Sequence, residues 1–467
     1  MKEGSTGSSQ SAGDEYRFNL TQGHIAALVA APLLAILVYW LTLPQGAPIA
    51  GALAVTVFAA VLWITEALPL PVTALLIPVG LATVGVFEAR DAYTSFGSPV
   101  LFLVLGGYAL AVAVAVNGVD RWLARRILGM AGSRSIGLLI AFMGTSALLS
   151  MLISNTATTA LLLPVALGIL SRHPADINLS RLLLLGVAYG ASIGGVATLT
   201  GSPPNAIAAG LLEISFLEWL SYGLPASLTM LVVAIPVLWW TYRPEQKQVS
   251  VTLGEEVPLT TGGKRTLAVV GITLLLWLFG PALGKLLALP PVLFSSAAVA
   301  SIAVALLMLT RCVNWKALEK GVHWGVLLLL GGGLSLGRGL TESGAADWLA
   351  GLLTSSAGDL PLFALLLVLV TIGVFATELI SNTAVTAKLA PILMGVALQL
   401  GLEADSLVVP VAIATSMAFM LPVATPPNAL VHASGEVAQR DMMRAGLRLN
   451  LAAIAVITLL FHFGVAG

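Results

Sequence analysis

Long apolar runs, separated by short polar or glycine- and proline-containing breaks, recur along nearly the whole chain. Runs able to span about 30 Å of hydrocarbon begin near His24 to Leu43, Ile49 to Trp63, Pro71 to Val86 and Ser98 to Val116, and continue to the C-terminus. The pattern predicts about eleven crossings plus two shorter apolar hairpins. Composition agrees, with 58% hydrophobic and 9% charged residues and a mean hydropathy of +0.98, far from the roughly 25% charged content of soluble domains. The expected fold class is an all-α polytopic membrane protein. Met1 to Tyr16 is Gly/Ser-rich and lacks the three regions of a signal peptide, so residues 1–20 read as a disordered tail and residues 21–48 as a retained first helix.

Charge orders these segments. Net charge is zero, which argues against a nucleic-acid partner, and Cys312 alone excludes an internal disulfide or thiolate metal cluster. His24, His173, His323, His432 and His462 are scattered near expected helix ends, where interfacial roles outweigh metal binding. Lys and Arg cluster around residues 121–134, 172–181, 243–265, 311–320 and 440–448, which the positive-inside rule makes cytoplasmic. An N-inside, C-outside chain satisfies these placements. The longest polar connection, residues 242–265, then becomes a cytoplasmic linker between halves 49–241 and 266–467.

The halves share landmarks. Ser154 to Pro164 (SNTATTALLLP) matches Ser381 to Pro391 (SNTAVTAKLAP) at an offset of 381 − 154 = 227; Gly118 and Trp122 match Gly344 and Trp348 at 226 (344 − 118); GSPPNA from Gly201 matches ATPPNA from Ala424 at 223 (424 − 201). Three matched landmarks at nearly constant offset indicate an internal duplication. Arginines follow the first Gly-Trp landmark but not the second, so the copies are expected to be inverted, an arrangement that places substrate where the repeats meet.

Each Ser-Asn-Thr lies between short apolar arms, which predicts re-entrant hairpins over residues 136–170 and 360–400 with these motifs at the tips. Ser, Thr and Asn are preferred N-caps, and a helix start directs N–H groups and a positive dipole end outward. Two such tips could hold the two carboxylates of one substrate without Lys or Arg. The Pro-Pro-Asn segments break two further helices. Their freed carbonyls, with Asn oxygens and Ser/Thr hydroxyls, are hard ligands suited to Na⁺; a structural kink is an equal reading of these segments alone.

Other features carry less. Gly190 to Gly194 fits a G-x-S-x-G nucleophile pattern with Ser192, but its Gly/Ala-rich apolar setting favours helix packing over a hydrolase. Glu66, Arg338, Glu342, Glu378 and Lys388 lie in or near apolar segments, where charge is costly. Lys388 replaces Leu161 of the first copy, and pairing with Glu378, contact with substrate and snorkelling are all open readings.

The paired SNT and Pro-Pro-Asn motifs and Trp63 to Pro69 (WITEALP) together resemble the divalent anion/Na⁺ symporter family of INDY-like dicarboxylate transporters. The resemblance covers nearly the whole chain after the tail. It implies a homodimer in a bacterial inner membrane, not an enzyme, with scaffold and elevator-type transport domains and no organic cofactor. It further implies Na⁺-coupled symport of succinate, fumarate or malate, with anion exchange as the alternative. Carried over by motif, substrate contacts are Ser154, Asn155, Thr156, Ser202, Pro203, Ser381, Asn382, Thr383, Thr425 and Pro426. At least two Na⁺ sites are implied, one from Ser150, Ser154, Asn155 and Gly201, the other from Thr377, Ile380, Asn382 and Ala424.

Overall fold

In hydrocarbon a backbone donor or acceptor must find its partner within the protein, and a helix satisfies both inside one segment. The computed structural model, which describes residues 21–249, 258–357 and 360–464, is helical throughout. Among the described residues the sole strand-like contact is an isolated bridge between Arg134 and Gln248. The tail expected over residues 1–20 lies outside the described residues.

The first half runs α1 (Gln22–Thr42), α2 (Ala47–Thr65), α3 (Leu70–Thr83), the short α4 (Ala89–Ala92), α5 (Pro99–Val116) and the surface helix α6 (Val119–Leu128). A hairpin of α7 (Ser135–Ser150) and α8 (Asn155–Leu170) follows, then α9 (Ile177–Gly195), α10 (Pro203–Leu212) and α11 (Phe216–Thr241). The second half repeats this order from α2 on: α12 (Thr261–Leu287), α13 (Ser296–Leu309), α14 (Trp315–Gly321), α15 (Trp324–Glu342), α16 (Ala345–Ala357), the hairpin α17 (Leu362–Leu379) and α18 (Asn382–Gln399), α19 (Asp405–Thr415), α20 (Pro426–Ala433) and α21 (Gln439–Phe463). The starts of α3 and α13 (296 − 70), α4 and α14 (315 − 89), and α6 and α16 (345 − 119) are each 226 residues apart. Duplication therefore extends well beyond the motifs.

Two expected boundaries shift. The first helix ends at Thr42, not 48, because Pro44 and Gly46 (φ +118°) stop it and Pro48 sits in the first turn of the next. The linker ends at Thr260, not 265, because Thr260 Oγ1 accepts from Gly263 N at 3.0 Å and starts α12.

Among the described residues eight helices are long and apolar enough to cross a bilayer, α17 among them, and shorter apolar helices such as α3 and α13 accompany them. In α1 only Ala27 and Ala31 are buried, leaving most of its apolar surface outward. At the opposite extreme α9 is buried along almost its whole length. Its glycines explain how: a Cβ on Gly194 would stand 2.3 Å from Ala147 Cα, and one on Gly190 2.8 Å from Met143 O, so α7 packs directly on the α9 backbone. The G-x-S-x-G pattern is thus a packing stripe. Ser192 Oγ is buried without any hydrogen-bond partner, so no base activates it.

Arg338 and Glu342 also prove structural. They form an ion pair at 2.6 Å, and the guanidinium additionally bonds Asp91 O at 3.2 Å and Thr94 Oγ1 while lying 4.8 Å from the Phe87 ring. Together they tie α15 to the corner around α4.

Candidate functional site

Each hairpin turns through a few non-helical residues. In the first, Ser154 is extended (φ −63°, ψ 148°) and its Oγ accepts from Ala157 N at 3.3 Å, capping α8. In the second, Ile380 is extended (φ −129°, ψ 148°), and Ser381 begins α18 without a side-chain cap. The leading N–H groups and positive dipole ends of α8 and α18 therefore lie at the tips.

Both tips hold their asparagine in the same way. Ser150 Oγ donates to Asn155 Oδ1 at 2.5 Å, and Thr377 Oγ1 donates to Asn382 Oδ1 at 2.5 Å. Each hydroxyl reaches across the turn from five residues earlier and fixes the amide orientation. Thr377 is also 2.8 Å from Thr415 O, at the end of α19.

The Pro-Pro-Asn breaks lie beside the tips. Asn205 Nδ2 faces the carbonyls of Gly195, Val196 and Thr198 at 2.9, 3.3 and 2.8 Å. Asn428 Nδ2 faces those of Ala418 and Leu421, both at 3.1 Å. Each asparagine thus pins its own break through its nitrogen, while both Oδ1 atoms are buried without a partner. The nitrogens have this structural duty, while the unpartnered oxygens are left free, as the expectation that asparagine oxygens of these segments serve as ligands requires. Ser202 Oγ and Ser416 Oγ, 3.3 Å apart, join the two breaks.

Around the first tip, oxygens converge where glycines leave room. A Cβ on Gly201 would stand 2.5 Å from Gly195 O and 2.9 Å from Ser150 O, and one on Gly195 2.4 Å from Asn155 Oδ1. The donor set is neutral and all oxygen, which suits a hard monovalent cation. Among the described residues there is no group of three His, Cys, Asp or Glu that could hold a transition metal.

All of this borders one cavity of about 780 Å³. The ten expected substrate contacts, Ser154, Asn155, Thr156, Ser202, Pro203, Ser381, Asn382, Thr383, Thr425 and Pro426, line it without exception, as do Gly201, Ile380 and Ala424. Ser150 and Thr377 are fully buried behind the asparagines they hold. No Lys or Arg lines the cavity among the described residues; Glu66 is its only carboxylate.

Two acidic and basic positions are not where pairing would put them. Glu378, 3% exposed, accepts through Oε1 from Phe419 N (2.8 Å), Met420 N (2.9 Å) and Asn450 Nδ2 (2.8 Å), and through Oε2 from Leu421 N (3.0 Å). Lys388 Nζ is buried with no hydrogen-bond partner among the described residues, and Lys388 does not line the cavity. The Glu378–Lys388 pair and the snorkelling lysine are thereby excluded.

Sequence reasoning did not place His24, Thr65, Glu66, Tyr108 and His323, from α1, the end of α2, α5 and the start of α15, in the site, although it had marked Glu66 as a charge in or near an apolar segment; all five line the cavity. These residues fall outside the repeated phrases, and a lone histidine at a helix end carries no pattern that would single it out.

The citrate transporter family model matches residues 60–414. An uncharacterized transporter of Haemophilus influenzae is 38% identical over 87% of this chain and 90% of its own length. The sodium-dependent dicarboxylate transporter SdcS of Staphylococcus saprophyticus is 32% identical, covering 94% of this chain and 91% of that protein. Among solved structures, the YdaH transporter of Alcanivorax borkumensis aligns with a TM-score of 0.55 at 16% identity, over 80% of this chain and 87% of that one, which bears on the fold alone.

Proposed function

The chain belongs to the citrate transporter family, with sodium-dependent dicarboxylate transporters among its relatives, and from that premise we propose that it carries C4-dicarboxylates such as succinate, fumarate or malate together with Na⁺. It is a membrane transporter and not an enzyme. The observation that carries the finer reading is the pair of Ser-Asn-Thr helix starts facing one cavity with no Lys or Arg among its described lining residues. Each start offers N–H donors and a dipole end to one carboxylate, an interaction of about 0.3–2 kcal/mol per terminus for the charge alone.

Na⁺ is a co-transported substrate in this reading. Ser150, Ser154, Asn155 and Gly201 take one ion and Thr377, Ile380, Asn382 and Ala424 the other. Asn155 and Asn382 touch both ion and anion. Ion binding there orients the amide and offsets the dianion's charge, so each ligand raises affinity for the other. The hairpins with α9–α11 and α19–α21 form the moving body, and α1–α5 with α12–α15 the scaffold, in a homodimer of an inner (plasma) membrane with the N-terminus cytoplasmic and the C-terminus outside. Crossing then amounts to an elevator-like displacement of a substrate site that stays intact, consistent with site residues on the tips of rigid helices.

Exchange of one dicarboxylate for another is the second reading. The buried, unpartnered Lys388 favours it, since a fixed cation near the second tip could stand in for a mobile one. Reconstitution in liposomes separates the two: symport predicts labelled succinate uptake driven by an inward Na⁺ gradient but not by K⁺ or choline. Uptake that ignores Na⁺ and requires internal dicarboxylate would establish exchange.

A further inference from the structure

The surface helix α6 carries arginines that its place in the fold does not require. It follows α5 after a turn at Gly118 (φ +66°) and buries Val119, Ala124 and Leu128, leaving Arg121 and Arg126 exposed. Its counterpart in the second half, α16, follows Gly344 (φ +77°) in the same way. At the offset of 226 that relates the two helices, Arg121, Arg125 and Arg126 are matched by Asp347, Gly351 and Leu352. The repeat builds this element with or without the arginines.

Two of them border a cavity of about 330 Å³ between α6 and the start of α12. Arg121 and Arg125, four residues apart, share one side of α6, and Trp122 lines the cavity beside them. Thr260, the N-cap of α12, lines it too, so the positive end of that 27-residue helix adjoins the guanidinium groups. No Asp or Glu lines it among the described residues. The neighbouring carboxylate, Asp120, is buried and accepts from Arg121 N at 2.8 Å. Apolar lining comes from Ala115 and Val116 at the end of the membrane-spanning α5, where Val116 stays 60% exposed. A cavity cationic on one helix and apolar on the adjoining end of a spanning helix has the two-part chemistry of a phospholipid, not that of a free anion.

We propose that this cavity binds the headgroup of an anionic phospholipid, with its phosphate held by Arg121 and Arg125, the Trp122 indole at headgroup depth and the first acyl carbons against Val116. A guanidinium can donate two parallel N–H bonds to phosphate oxygens. Basic side chains on an amphipathic helix next to a spanning segment already lie where such headgroups are. Because α6 joins α5 to the first hairpin, the lipid fastens the entry to that hairpin at the membrane surface. The cavity shares no lining residue with the one that borders the tips, so the inference stands independently of what the tips bind.

The test titrates phosphatidylglycerol against phosphatidylcholine of the same acyl chains into the purified full-length protein and reads the bound lipid by native mass spectrometry. The wild type prefers phosphatidylglycerol. Arg121→Gln, which alters an exposed side chain, lowers that preference by about fivefold, and Arg121→Gln combined with Arg125→Gln by about thirtyfold. Arg126→Gln combined with Arg134→Gln removes the same charge from the same surface outside the cavity and lowers the preference by no more than about threefold. A thermal transition matching that of the wild type shows each variant to be folded. Equal losses in the two double variants, or no loss in Arg121→Gln and its double variant, overturn the inference. Displacement of the lipid by millimolar glycerol 3-phosphate also overturns it, since the cavity would then take a free phosphate ester.

Discussion

In the first copy Met151 follows the hydroxyl residue that holds Asn155; in the second, Glu378 follows the one that holds Asn382. The tips themselves match to a tenth of an ångström in the Ser150–Asn155 and Thr377–Asn382 bonds, both 2.5 Å, yet the breaks beside them are finished differently. Beside the first, α9 continues to Gly195 and the gap before α10 is short. Beside the second, α19 stops at Thr415, and the N–H groups of Phe419, Met420 and Leu421 all point at the Glu378 carboxylate. The contrast teaches that duplication preserved the tip geometry while the supporting chemistry diverged, a methionine thioether on one side and a hydrogen-bonded carboxyl group on the other.

That comparison can be broken most sharply at the asparagines. Asn155→Ala and Asn382→Ala should each reduce succinate uptake at least about a hundredfold, because in the proposed site each removes a group shared by ion and anion whose loss counts twice. Equal losses support one site built from two tips. A variant that transports normally would show that its tip is ornamental to binding.

Glu378 is the next largest handle. Glu378→Ala leaves three backbone N–H groups, that of Phe419 buried, and Asn450 Nδ2 without an acceptor and should lower unfolding free energy by about 3–5 kcal/mol, against about 1 kcal/mol or less for Met151→Leu. Thermal unfolding in detergent measures both. Near-equal effects would mean the carboxyl clasp contributes no more than the methionine at the equivalent position.

Lys388→Leu imports the first copy's residue. Removing a buried ammonium that has no hydrogen-bond partner should raise thermal stability by about 1–3 kcal/mol and leave Na⁺-dependent uptake in place. A loss of stability would reveal a partner for the ammonium, and a gain of Na⁺ dependence where none existed would identify the lysine as the stand-in cation of an exchanger.

The smallest effects belong to the hydroxyl exchanges. Ser150→Thr and Thr377→Ser keep the donor to each asparagine and should shift the Na⁺ concentration for half-maximal uptake by no more than about threefold, whereas Ser150→Ala loses about 1 kcal/mol of that bond, close to fivefold.

Much of this was legible in the sequence for physical reasons. Hydrocarbon forces helices, so apolar runs located nearly every element, and polar motifs inside those runs had to be buried breaks; all ten expected substrate contacts line one cavity. Helix ends set by single residues, such as the Pro44–Gly46 stop, were blurred because an apolar run does not register a turn. Duties set by three-dimensional neighbours were not legible at all. Nothing in the chain's order tells that Glu378 reaches backbone forty residues on, that Arg338 and Glu342 pair over the Phe87 corner, or that Tyr108 and His323, more than two hundred residues apart, stack edge to face.

The central claim is that ion and dicarboxylate bind at the same two tips, and calorimetric titration of the purified protein with succinate in sodium and in choline buffers tests it most directly. The account predicts that saturating Na⁺ tightens succinate binding by about tenfold or more, that succinate tightens Na⁺ binding by the same factor, and that Asn155→Ala or Asn382→Ala removes the linkage. Equal succinate affinity in sodium and choline would contradict it.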